Sequence, residues 1–196
     1  DFVEADGSPP EICPRQTLKR VIAKASGHGF SPSIGVEFEW FNFRETPESL
    51  HEAGFKSPKP LTPGMFGYSL IRAAQNRDYF VALMEELPHF GVPLEGLHTE
   101  TGPGVFEAAI LYSDALTSAD RAVLFKTAAK EIGHRFGIMP TFMAKISPEL
   151  PGCSGHIHQS LWRDGKPLFF DEADPQKISK TFKHYLAGVM HCLPHV

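Results

Sequence analysis

The chain has no apolar run near the roughly 20 residues that a bilayer span requires, so a membrane partner is not expected. It carries no signal-peptide core and no block of basic residues, and its net charge is −4, so nucleic acid is not an expected partner either. Cysteine is scarce. Cys13, Cys153 and Cys192 are odd in number and far apart, which excludes a disulfide framework and fits a reducing, cytoplasmic compartment. There is no internal repeat and no low-complexity tract. What is present is an ordinary globular composition, 42% hydrophobic and 21% charged, in 196 residues, a length that suits one domain with its own core. The opening, DFVEADGSPPEICPR, reads as a loop cut from something longer, so a fragment is expected.

Periodicity sorts the chain into alternating helices and strands. After Pro14, Leu18, Val21, Ile22 and Ala25 recur at helical spacing up to the Gly27–Gly29 region. IGVEFEWFNF reads as a strand, and Arg44 to Gly67 as a long proline-rich loop. Asn76 is placed to cap a helix through NRDYFVALMEELPHFG. VPLEGLHTETGPGVFEAAIL predicts two short strands around a Gly-Pro-Gly turn. Thr117 and Asp120 form a candidate capping pair for a helix whose stripe is Phe125, Ala128, Ile132 and Phe136. Strands are predicted at MPTFMAK and SGHIHQSLW, with a hairpin at Asp164-Gly165 into KPLFF. A last helix is expected to start at Asp174-Pro175, with Ile178, Phe182, Tyr185, Val189 and Leu193 on one face. Several strand pairs are joined by turns too short for parallel crossovers. The expected fold is therefore α+β, with a largely antiparallel sheet and helices packed on one face.

The acidic residues sit where a strand should be greasy. In GVEFEWFNF, Glu37 and Glu39 fall on one face, with Val36, Phe38 and Trp40 on the other. At about 3.3 Å per residue the two backbones are about 7 Å apart, so the carboxylates repel unless water or a cation stands between them. A solvated edge strand would satisfy the same pattern. Glu100 and Glu107 flank the Gly-Pro-Gly turn, which can bring their carboxylates together, although incidental acids on a hairpin fit as well. His156 and His158 share a strand face, with Ile157 expected in the core; surface histidines are the alternative. A zinc site using Cys153, His156 and His158 is disfavoured, because Cys153 reaches that face only through a bend. Four glutamates with a histidine form a mostly oxygen ligand set that suits Mg²⁺ or Mn²⁺. Two such ions close together serve phosphoryl chemistry. Lys145 in TFMAK could add a positive charge there, or be a solvated surface lysine.

GVEFEW, ETGPGVFE, and TFMAK followed by PGCSGHIHQSL resemble, in order and spacing, the consecutive motifs of the glutamine synthetase superfamily's catalytic domain. The resemblance runs over residues 1–196, essentially the whole chain. It implies part of a catalytic domain, with an amino-terminal β-grasp domain and the carboxy-terminal part of the catalytic domain lying outside these residues. It implies an ATP-dependent ligase that joins glutamate to ammonia or an amine through a γ-glutamyl phosphate, with two divalent ions, Mg²⁺ or Mn²⁺, at the site. By motif, Glu39, Glu100 and Glu107 resemble ligands of the ion nearer glutamate, and Glu37 and His156 two of the ligands of the ion nearer the ATP phosphates. His158 resembles the histidine beside the transferring phosphoryl group. Ser160 lies where nucleotide is contacted, and Gly152 in the loop that touches the amino-acid substrate. A homo-oligomer is implied too.

The chain departs from the family pattern at three places. Val105 stands where Gln is common, Trp40 where Phe is usual, and Pro151 where ammonia-using enzymes often have Asn, which hints at another acceptor. The competing expectation is a non-catalytic relative of the lengsin type, serving assembly. A released site should have lost a metal glutamate, and Glu37, Glu39, Glu100, Glu107 and His156 are all present. A plain metal-binding module is a third reading, but it would need neither TFMAK nor the Gly-Pro-Gly turn.

Overall fold

Alternation of side chains along one long strand organises the structure. The computed structural model describes residues 1–195. In chain order its elements are α1 (Pro14–Gly27), β1 (Ser31–Phe43), α2 (Pro47–Glu52), α3 (Leu70–Gln75), α4 (Arg77–Glu86), β2 (Leu94–Thr99), β3 (Val105–Asp114), α5 (Ala115–Arg135), β4 (Met139–Thr141), β5 (Gly155–Arg163), β6 (Lys166–Pro167) and α6 (Lys180–Cys192), with short 3₁₀ turns after α4 and α6. The chain divides into two units. One comprises residues 1–34, 113–116 and 158 onward; the other comprises residues 35–112 and 117–157.

In the larger unit the strands run β2-β3-β1-β5, and β4 also pairs with β1. The hairpin partners β2 and β3 are antiparallel, with His98 opposite Glu107, and β4 is antiparallel to β1. Trp40 from β1 and Phe106, Ala108 and Ile110 from β3 point to one side. There they meet Tyr79 and Leu83 of α4 and Phe125, Ala128, Ala129 and Ile132 of α5, all buried. Burying each large apolar side chain here contributes about 1.5–3 kcal/mol, which fixes that face of the sheet against the two helices. Phe38 stacks on Phe125, and Trp40 meets Phe106 edge-on. The expected one-sided helix packing holds in this unit. On the opposite face of β1, Phe41 and Phe43 close a smaller cluster with Val105 and Cys153. Val105, the residue standing in place of a common Gln, is thus an apolar support for the strand that carries Glu107.

In the smaller unit, β5 turns through Asp164 and Gly165 into β6, antiparallel but only two residues long. Phe182 and Tyr185 of α6 pack on Phe169. Arg163 lies over the Phe30 ring and donates to the Gly29 carbonyl.

Several boundaries differ from expectation, each for a local reason. The helix expected at Asp174 begins at Lys180, capped by the Ser179 hydroxyl, which accepts from Phe182 N at 3.0 Å. Asp174 accepts from Gln176 N, and Lys177 takes a positive φ of 59° that no α-helix continues through. Val189 and Leu193, expected on a packed face, are exposed. α5 starts at Ala115, before Thr117, because Asp114 accepts from Leu116 N at 3.1 Å. Phe136 lies beyond the helix end, against Tyr79. Asn76 occupies the N-cap of α4, yet its amide bonds Arg72 O and the Arg44 guanidinium instead of the helix. The proline-rich stretch is not all loop: Thr46 and Ser49 form a reciprocal capping box that starts α2. Only Met139–Thr141 of MPTFMAK is strand.

Candidate metal centre

The carboxylates on the face of β1 away from the helices converge with residues from β2, β3 and β5. Glu37 Oε2 lies 3.1 Å from His156 Nδ1, and the same nitrogen lies 3.6 Å from Glu107 Oε1. Across Glu107, Oε2 is 3.6 Å from His98 Nε2, while His98 Nδ1 stands 4.0 Å from Glu100 Oε2. Two ligand-type groups result, Glu37–Glu107–His156 and His98–Glu100–Glu107, with Glu107 in both. The expected convergence of Glu100 and Glu107 is therefore met through the antiparallel hairpin, where Glu100 follows the end of β2 and Glu107 lies on β3 opposite His98.

Glu39 stands outside both groups. Its two oxygens accept from Ser154, at 2.8 Å from the backbone N–H and 3.0 Å from the hydroxyl. Ser154 Oγ also lies 3.2 Å from His156 Nε2, so Ser154 links Glu39 to the imidazole.

The electrostatics are those of a crowded acidic site. Burial pushes the Glu107 carboxyl above its ordinary value; His98 opposes this, and Glu39, Glu37 and Glu100 add to it. Burial also works against Glu100, but the Thr101 N–H at 2.6 Å, with the nearby Tyr68 phenol and the Thr101 hydroxyl, outweighs it and lowers that carboxyl. Glu100 Oε2 is buried with no hydrogen-bond partner among the described residues. A buried carboxylate oxygen without a donor costs free energy that a bound cation would recover. The donor set, carboxylate oxygens with imidazole nitrogens, fits Mg²⁺ or Mn²⁺.

Tyr68 flanks this cluster. Its ring stacks on His98 with centroids 4.7 Å apart, and hydrogen bonding to Glu100 raises its phenol. Its backbone is left-handed, φ 54°, held by a 2.6 Å bond from its N–H to Thr99 O. His98 and Tyr68 were not among the residues expected from sequence. The period-two rule applied to His156 also selects His98, on β2 two residues before Glu100. Tyr68 has no such local signal.

The other candidate residues are placed as follows. Lys145 is exposed in the loop between β4 and β5, in neither ligand group. Gly152 lies in the same loop, where an added Cβ would stand 2.5 Å from Ala144 O. His158 is two residues beyond His156 on β5, in the smaller unit, and is exposed. Ser160 accepts from Trp162 Nε1 at 2.9 Å and donates to Ser33 O at 3.5 Å. Ile157, expected in the core, is 63% exposed: strand alternation gives it a face but does not decide what covers that face. Cys153 is buried beside Phe41 and Phe43, its thiol pushed up to about 12 by burial, and it belongs to neither ligand-type group.

The fold is α+β, and carboxylates and imidazoles from neighbouring strands gather on one face of its sheet. The chain belongs to the glutamine synthetase family: residues 11–196 match its catalytic domain. It is 55% identical over 196 residues to a type-1 glutamine synthetase of Dictyostelium discoideum, covering 99% of this chain and 37% of that protein. It is 32% identical over 191 residues to a glutamate–isopropylamine ligase of a Pseudomonas species, covering 97% and 42%. A crystal structure described as a novel glutamine synthase homolog has the same fold, with a TM-score of 0.84 at 24% identity over 98% of this chain and 42% of that one. The chain thus spans about two fifths of the relatives it matches. No helix among the described residues is long and apolar enough to cross a membrane.

Proposed function

We propose that the protein containing this chain is an ATP-dependent ligase that forms a γ-glutamyl amide from glutamate and ammonia or a primary amine by way of γ-glutamyl phosphate. The observation that carries the reading is Glu107, a carboxylate with a raised pKa standing between two imidazoles in a chain of this family. In this reading Glu37, Glu107 and His156 hold one divalent ion, Mg²⁺ or Mn²⁺, and Glu100 and Glu107, with His98 beside them, hold a second. Glu39, held by Ser154, joins Glu100 and Glu107 around the second ion, nearer the glutamate substrate. The ions supply neutralisation of phosphate charge and polarisation of the carboxyl group under attack. His158 donates a hydrogen bond to the phosphoryl group in transfer, Ser160 contacts nucleotide, and the loop of Gly152 touches the amino acid. Lys145 adds positive charge on the phosphate side.

The acceptor is a small nitrogen nucleophile. Relatives bear the names of glutamine synthetase, glutamate–isopropylamine ligase and γ-glutamylethanolamide synthetase. The complete protein is a homo-oligomer of the cytoplasm in this reading, in keeping with the free cysteines of this chain. The test is a product assay on the full-length protein with ammonia, polyamines and aromatic amines, alongside Glu107→Gln. The variant should weaken divalent-ion binding and abolish amide formation; unchanged turnover at saturating Mg²⁺ would overturn the assignment. A wild-type protein that binds the ion but makes no amide with any acceptor would instead support the non-catalytic assembly role.

A further inference from the structure

The core face of β1 carries a polar residue, Asn42, that is fully buried behind the site. A buried carboxamide is costly unless each of its groups is bonded, and this one is. Oδ1 accepts from Trp40 Nε1 and from the Tyr79 hydroxyl, each at 2.9 Å. Nδ2 donates to the Gly104 carbonyl at 3.0 Å, and the Asn42 backbone N–H donates to that same carbonyl at 2.9 Å. Gly104 N in turn donates to the Thr62 hydroxyl at 3.1 Å. No side chain fits at Gly104: a Cβ would lie 2.4 Å from Asn42 O, and φ is +73°.

Gly104 ends the turn between β2 and β3. Glu100 N donates to Val105 O across that turn at 2.9 Å, so the placement of Gly104 sets where both hairpin carboxylates begin. Two donors from one residue on a single carbonyl, with Thr62 on the N–H, fix the turn from both sides. Trp40, the departure from the usual Phe, supplies an N–H that a phenylalanine lacks, and that N–H orients the amide so that Nδ2 faces Gly104. We infer that Asn42 is a positioning residue, which through the Gly104 carbonyl holds Glu100 and Glu107 at the spacing needed to bind divalent cations. The inference rests on the metal-site reading above.

The test measures Mn²⁺ affinity of the full-length protein by titration, at a temperature where each variant is folded, together with stability in urea. Asn42→Leu, similar in volume but without the donor, should weaken Mn²⁺ binding about tenfold, the scale of losing a residue that orients metal ligands. Tyr79→Phe removes one bond to the same amide but leaves the grip on Gly104, so it should lower stability without moving Mn²⁺ affinity. If both variants lose affinity in proportion to stability, Asn42 is merely structural and the inference fails. Should Asn42→Leu not fold, Thr62→Val carries the test: it loosens the same turn and should also weaken Mn²⁺ binding, and unchanged affinity would overturn the inference. Glu107→Gln separates the two readings. If it weakens Mn²⁺ binding while Asn42→Leu does not, only the inference falls; if Glu107→Gln has no effect, both fall.

Discussion

His156 Nδ1 sits 3.1 Å from Glu37 Oε2, joining the start of β5 to the middle of β1. Both side chains keep substantial contact with solvent, so as an ion pair they contribute little to stability. In the proposed function they hold a cation. His156→Ala in the full-length protein should therefore lower Mn²⁺ affinity at least tenfold while shifting the urea midpoint little. Calorimetric titration checks this, and an unchanged dissociation constant would remove His156 from the ligand set.

Glu107 and Glu100 titrate in opposite directions, which predicts opposite pH effects without added cation. The folded state holds Glu107's proton to a higher pH than the unfolded chain does, so its ionisation costs stability as pH rises through the carboxylate range. Glu107→Gln should then raise the melting temperature at neutral pH, with the gain vanishing near pH ~4. Glu100 is lowered, so its ionised form contributes stability above the unfolded value, and this is lost as pH falls through the folded one. Glu100→Gln should lower the neutral-pH melting temperature, the gap closing in acid. Melting curves of the three proteins across that range, with chelator present, decide it.

Gly152 leaves no space for a side chain, because the Ala144 carbonyl is fixed by a 2.9 Å bond from Cys153 N. Gly152→Ala should cost about 1–3 kcal/mol in chemical denaturation, the range for forcing atoms into filled space. A wild-type-like midpoint would mean that the loop moves aside freely.

What sequence could and could not disclose follows from the range of the interactions involved. The alternation along β1 was legible because each strand face needs only its immediate neighbours to define it: Trp40 is buried as expected, and Phe38 is partly buried against the same core. The convergence of Glu100 and Glu107 was legible because a Gly-Pro-Gly turn is a local signal. Ile157 misled because its burial depends on what covers β5, which no pattern inside β5 encodes. The start of α6 misled because Asp174-Pro175 and Ser179 both resemble caps, and only the left-handed Lys177 between them rules out the first. The distances within the acidic cluster were not legible from strand parity alone. Glu39 and Glu37 are equivalent by parity, and it is Ser154, 115 residues later, that takes Glu39 out of both groups.

One consequence of Glu107's double membership concerns how the centre is dissected. A lesion there is felt at two neighbouring loci at once, so losses measured for Glu37 and for Glu100 will not sum to the loss measured for both. The cluster then acts as a single electrostatic object, and a thermodynamic cycle with residue 107 at its corner resolves how the load is divided.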